Sequence, residues 1–302
     1  MSGQLTVARQ GRVMVLTMDD VATKNALGPE MMTAARDALT QAAEDPGVGA
    51  IVLTGANGTF CSGGNLGRLL GNAKADPEVT RGSLERFHGW TRAMRACPKP
   101  VIAAVEGAAA GAGFSVALGC DLIVAAEDAV FTLAYVKVGL NPDGGASAFL
   151  ARAATPQLAA EIMFEGGKIG APRLAQLAIV NRVVAPGTAL AEATAWAERL
   201  ADGPTLAIGR AKRLIESGFG APDDQLDREA AFFVEALHGA EAAEGITAFF
   251  EKRTPNYPRG RDVPQASNDR VGSGGVGAAF SRERATSDGA PGTRSGSTCP
   301  VK

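Results

Sequence analysis

The cysteines of this chain form no pattern. Cys61, Cys97, Cys120 and Cys299 stand far apart, with no CxxC or other ligand spacing, and the two histidines, His88 and His238, stand alone. Neither a metal site nor a disulfide framework is expected; reduced structural thiols in a cytoplasmic protein are. Charge of one sign is not in excess either. With 30 Lys+Arg against 32 Asp+Glu the net charge is −2, which gives nucleic acid no electrostatic footprint to bind. No apolar run is long enough to cross a bilayer, because Gly, Glu, Asp or Lys interrupts each one, so no membrane partner is expected. The opening MSGQLTVARQGRVMVLTMDD lacks the basic start and apolar block of a secretory signal. Aromatic residues supply only 5% of a chain that is 46% hydrophobic, 21% charged and rich in Ala and Gly, the composition expected of a soluble globular protein.

What is present alternates. LTVARQGRVMVLTMD reads as two strands about a turn at Gln10-Gly11, and NALGPEMMTAARDALTQAAED as a helix with Pro29 and Glu30 in its first turn. AIVLTG, VIAAVE, DLIVAA and NRVV read as buried strands, with helices near Gly64–Leu70, Pro77–Ala96 and Leu206–Lys252. Strands alternating with helices make the fold class α/β. We expect a core over residues 1–186, a helical region over 187–258 used for oligomerisation or as a lid, and a disordered tail over 259–302, rich in Gly, Ser, Thr, Arg and Pro.

The stretch GAAAGAGFSVALGCD, Gly107 to Asp121, lacks bulk just where a helix should begin. Small residues leave backbone N–H groups unshielded, and those of a first helical turn have no partner inside the helix. Such a place suits an anion, or a carbonyl oxygen that becomes one during reaction. It also suits mere close packing of helix on strand. A dinucleotide-binding turn is a third reading, but the motif lies past residue 100, no ribose-reading acid follows, and Tyr135 and Lys137 are two apart rather than four.

Four segments in order, KNAL (Lys24–Leu27), GANGTFCSGGNL (Gly55–Leu66), VEGAAAGAGFSVALGCDLIVAA (Val105–Ala126) and EGITAFFEKRTPNY (Glu244–Tyr257), resemble the crotonase, or enoyl-CoA hydratase/isomerase, family. The resemblance implies a spiral of ββα repeats with a helical C-terminal region, assembled as a homotrimer or a dimer of trimers. It implies an acyl-CoA thioester as substrate, with no cofactor beyond the coenzyme A that the substrate carries. The thioester oxygen would lie between the N–H groups of Gly64 and Ala112. Lys24, Ala26, Ser62, Asn65 and Leu66 fall on positions that line the coenzyme A site in relatives, and Lys252 on one that reaches it across a subunit boundary. For Lys24, a solvated surface lysine is the competing reading.

The chain departs from the family pattern where hydratases carry two glutamates. Those positions hold Ser115 and Tyr135, neither of which can act as a carboxylate near neutral pH. One carboxylate remains nearby, Asp143 in GLNPDGGAS. By its local sequence it is a good helix N-cap before GGASAFLARA. By resemblance, PDGG is similar to the loop of the isomerase branch that includes ring-1,2-epoxyphenylacetyl-CoA isomerases, where this aspartate is the general base. Ser115 and Tyr135 would then line the substrate pocket, and Phe87, His88 and Trp90 would wall the acyl group. Cys61 has no histidine in its segment to activate it and reads as structural.

Overall fold

The structure, a computed structural model, describes residues 3–72, 74–218 and 239–258. His238, Cys299 and the tail expected from Arg259 onward lie outside the described residues.

Strands β1 (Gln4–Gln10) and β2 (Val13–Asp19) pair antiparallel about Gly11, as the alternation implied. Helix α1 (Pro29–Glu44) begins on Pro29 with Glu30 behind it; there a missing N–H costs nothing and an acid meets the positive end of the helix. β3 (Ala50–Gly55) lies parallel to β2, β4 (Val101–Val105) to β3, β6 (Leu122–Ala126) to β4, and β9 (Arg182–Val184) to β6. The sheet order is β1-β2-β3-β4-β6-β9. β3 and β4 are buried on both faces, which is why they read as unbroken apolar runs rather than alternating ones. A second sheet joins β5 (Ala108–Ala110), β7 (Val130–Thr132) and β8 (Ile169–Gly170). These strands of two or three residues leave no periodicity to read in the sequence.

Side chains alternate across the main sheet, so each face is covered by its own layer. On one, α8 (Ala189–Ala201) lays Ala189, Ala193, Ala197 and Ala201 against Val13, Val15, Ala50, Val52, Ile102, Ala104 and Val124. A methyl every fourth residue makes a smooth stripe that rides close to the strands. Although α8 follows residue 186, it is part of this packing. On the other face, Met31, Ala35 and Leu39 of α1 join Leu16, Met18, Ile51 and Leu53 in the larger cluster, with Phe87, Trp90 and Met94 of α3 (Pro77–Ala96). Helix α4 (Ala112–Gly119), apolar all round except for Ser115, is buried along its whole length.

Helix α9 (Thr205–Ser217) is fastened by charge instead. Lys212, 7% exposed, places Nζ 2.7 Å from Asp121 Oδ2 and donates to the carbonyls of Met94 at 2.9 Å and Lys99 at 3.1 Å. Arg95 reaches Asp121 at 3.3 Å and also pairs with Glu216, and Asp121 accepts the Val101 N–H at 2.8 Å.

Candidate active site

The loop after β3 and the start of α4 are laced together through their backbones. The Cys61 N–H donates to Ala108 O at 2.9 Å, and Cys61 O accepts from the Ala110 N–H at 2.9 Å. Two glycines permit this approach: a Cβ at Gly63 would stand 2.5 Å from Ala110 O, and one at Gly113 would stand 2.5 Å from Cys61 O. Close packing therefore does need the small residues, but it does not use up the donors. Gly111 caps α4 with φ 51°, and the Ala112 N–H begins the helix with no carbonyl of its own to reach. The same Cβ at Gly63 would lie 3.3 Å from Ala112 N, so the glycine pair Gly63-Gly64 and the head of α4 are immediate neighbours. Among the described residues, neither the Gly64 nor the Ala112 N–H donates a hydrogen bond. Gly64 is exposed and Ala112 is buried. The glycine pair and the head of α4 thus bring two backbone N–H groups without a described acceptor into one neighbourhood.

The KNAL segment is tied to the same loop. Ser62 N–H donates to Lys24 O at 3.0 Å, Ser62 Oγ to Thr23 O at 2.6 Å, and Leu27 N–H to Gly63 O at 2.8 Å. Ala26 is buried, its N–H held by Thr23 Oγ1 at 3.1 Å, while the Lys24 side chain is exposed. Sequence reasoning passed over the residue that sets this geometry. Asn25, 1% exposed and at φ 62°, donates to Ala56 O at 2.9 Å and Thr59 O at 2.6 Å and accepts the Asp20 N–H at 2.9 Å. Asparagine tolerates the left-handed region better than most residues, and that tolerance was the available signal. Asn65 Oδ1 accepts the Arg68 N–H at 3.0 Å, which caps α2 (Leu66–Asn72), and Leu66 projects into solvent at 63% exposure. Lys252 is exposed, and no described contact brings it to this group.

Ser115, Tyr135 and Asp143 come together. The Tyr135 hydroxyl donates to Asp143 Oδ1 at 2.5 Å and lies 3.1 Å from Ser115 Oγ. Ser115 is fully buried on α4, Tyr135 sits on the short 3-10 turn Ala134–Val138, and Asp143 occupies the loop after it. The helix that follows, α5 (Ala146–Ala153), is capped by Gly145 at φ 91° with no side-chain hydrogen bond. Asp143 therefore does not cap it, contrary to the local sequence rule, because the Tyr135 phenol holds its carboxylate eight residues away. Burial pushes the Asp143 pKa above the usual carboxylate range; the Tyr135 hydrogen bond and the His88 charge pull against that rise without cancelling it. The Tyr135 phenol is pushed up as well, by burial first and then by the neighbouring Asp143 charge. The loop is backed by Phe87, whose ring would be 2.3 Å from a Cβ at Gly144, and by Thr91 Oγ1, which donates to Gly144 O at 3.3 Å. A carboxylate with a raised pKa, held on one oxygen by a phenol hydroxyl, can serve as a general base and then as an acid.

Two other places lack that capacity. Cys61 is wholly buried and its thiol is pushed up to about 12 by that burial, so it remains protonated and structural. A cavity of about 250 Å³ beside α9 is lined by Arg95 and Lys212, each paired with Asp121, and by apolar side chains.

Comparison with known proteins gives the family. A model of the enoyl-CoA hydratase/isomerase family matches residues 8–260. The chain is 35% identical over 248 residues to the 1,2-epoxyphenylacetyl-CoA isomerase of Escherichia coli (strain K12), covering 81% of this chain and 94% of that protein. It is likewise 35% identical over 244 residues to a probable enoyl-CoA hydratase of Rhodobacter capsulatus, covering 80% and 93%. A crystal structure of an enoyl-CoA hydratase from Polaromonas sp. JS666 superimposes with a TM-score of 0.83 at 45% identity, over 85% of this chain and 100% of that one. The α/β crotonase fold expected from the motifs is thus present, and the chain belongs to the enoyl-CoA hydratase/isomerase family.

Proposed function

We propose that this protein is an acyl-CoA isomerase that moves a double bond, or rearranges an epoxide or oxepin ring, through a thioester enolate, with Asp143 as its acid–base group. The observation that carries this reading is the Asp143 carboxylate, half-buried and engaged by a phenol rather than by a helix end, in a site whose two customary glutamate positions hold Ser115 and Tyr135. Hydration calls for one group to activate water and another to deliver a proton. Isomerisation calls for one. Asp143 takes a proton from Cα, the electron pair enters the dienolate, and its oxygen is held by the Gly64 and Ala112 N–H groups. The protonated Asp143 then returns the proton to Cγ, and carboxylate and thioester leave the cycle unchanged. Losing one donor of such an oxyanion site typically lowers the rate about 10²–10³-fold.

Lys24, Ala26, Ser62, Asn65 and Leu66 hold the coenzyme A part of the substrate in this reading, Lys252 approaches it from a neighbouring subunit of a homotrimer or dimer of trimers, and no cofactor takes part. Among the described residues no helix is long and apolar enough to cross a membrane, and we assign the enzyme to the cytoplasm. The second reading is hydration or hydrolysis of an unsaturated or aromatic-derived acyl-CoA, with Ser115 and Tyr135 orienting the water; the names of the relatives include both isomerase and hydratase.

The test is the ultraviolet absorbance of a 3-enoyl-CoA mixed with wild type and with Asp143→Asn. Appearance of the conjugated 2-enoyl thioester, reduced about 10²–10⁴-fold in the variant, supports the isomerase and its base. Loss of absorbance from an added 2-enoyl-CoA without isomerisation of the 3-enoyl substrate would establish hydration instead.

A further inference from the structure

Tyr135 has a single proton to give and two neighbours to share it. An ionised aspartate only accepts, so the phenol proton goes to Asp143 Oδ1, at 2.5 Å. The 3.1 Å contact between Tyr135 and Ser115 is then made by the serine hydroxyl donating to the phenol oxygen. The other acceptor within reach of Ser115, Gly111 O, lies farther off at 3.4 Å and already takes the N–H groups of Phe114 at 3.0 Å and Ser115 at 3.1 Å. The chain of donation therefore has one direction, from Ser115 to Tyr135 to Asp143. Ser115 stands one helical turn after Ala112, so the chain starts on the helix whose first N–H faces the proposed oxyanion. Tyr135 itself is set by its short turn, which closes on Gly139 at φ 72° and on the Leu140 N–H donating to Tyr135 O at 3.0 Å.

We propose that Tyr135, backed by Ser115, is the positioning residue for the Asp143 base: it engages Oδ1, assigns proton transfer to Oδ2, and fixes the base relative to the oxyanion site through α4. The inference rests on the isomerase reading of the same site. It gives the two departures from the glutamate pattern a joint purpose, since two neutral hydroxyls orient a carboxylate without competing with it for the substrate proton. Hydrogen bonds in such a series polarise one another, so the far member contributes through the near one.

Titration of Asp143 carries the test, read by carbon-13 NMR of labelled aspartate with the signal assigned by its absence in Asp143→Asn. The groups facing Asp143 among the described residues are Tyr135 from the short turn and His88 from α3, so each comparison is repeated in a His88→Gln background. In Tyr135→Phe the Asp143 titration moves to higher pH, and the acidic limb of kcat/KM moves with it. At neutral pH kcat falls about tenfold to a hundredfold, as loss of a hydrogen bond to a charged group implies, while KM stays within a few-fold. Ser115→Ala shifts both in the same direction by less. An unmoved titration in Tyr135→Phe, with the fold intact by circular dichroism, overturns the proposal. A shifted titration in an enzyme that never turns over 3-enoyl-CoA overturns the isomerase reading and leaves the pairing standing.

Discussion

Among the described residues, two polar networks largely withdrawn from solvent are balanced in opposite ways. Beside α9, Arg95, Asp121, Lys212 and Glu216 alternate in sign, and Asp121 is met by two cations and a backbone N–H. At the candidate site, Asp143 is met by a neutral phenol with a neutral hydroxyl behind it. The first network satisfies its charges and so holds a helix in place. The second leaves a carboxylate under-compensated, its pKa raised by burial, and so holds a group ready to change its charge. What separates an anchor from a reactive site here is not burial, which both share, but whether the buried charge has been neutralised by another.

Breaking the anchor gives the largest effect we expect. Lys212→Ala leaves Asp121 buried with one cation fewer and should lower stability by roughly 3–5 kcal/mol in urea unfolding, with turnover per folded molecule unchanged. A loss within 1 kcal/mol would mean that the cluster is already hydrated and anchors little. Asp143→Asn should act in the opposite sense, removing activity while raising stability at neutral pH by about 0.5–2 kcal/mol, because an amide still accepts from Tyr135 but has no charge to desolvate. The pH dependence has a definite sign. With the folded pKa of Asp143 above the unfolded one, the ionised carboxylate costs stability above the folded value, and that cost is gone below the unfolded value, near about 4. The advantage of Asp143→Asn should therefore shrink as unfolding is measured at pH 7.5 and then at pH 4; a constant difference would contradict the raised pKa. The smallest change sharpens the comparison from its rim. Arg152 approaches Glu216 at 3.7 Å with both side chains 37% exposed, so Arg152→Ala should cost only about 0.2–1 kcal/mol in the same unfolding experiment.

The sequence was legible where the determining contacts are local. Pro29 starts α1, the runs AIVLTG and VIAAV form central strands, and Gly63 of CSGG and Gly113 of AGAG lie where two backbones meet. It was not legible where a partner distant in sequence decides. Nothing in IGRAKRLIES announces that Lys212 reaches Asp121 across the core, since a lysine on an amphipathic helix is ordinarily solvated. Asn25 reads as one polar residue in a loop until Ala56 and Thr59 are seen to hold it. Asp143 is the instructive case: its own neighbours in sequence describe a helix cap, and only the fold delivers the Tyr135 hydroxyl that claims it.

The wholly buried thiol of Cys61 has a practical consequence. The closed protein presents this sulfur neither to solvent nor as a thiolate, so a thiol reagent reaches it only when the bridge between Cys61 and Ala109 parts. Its labelling rate, divided by that of a free cysteine, is then a clock for the opening of the loop that carries Gly64, in the manner of amide exchange. Cys120, buried beside Asp121 and Lys212, keeps the corresponding time for the α9 anchor. An acyl-CoA seated at the site should slow the first clock and leave the second running at its former rate.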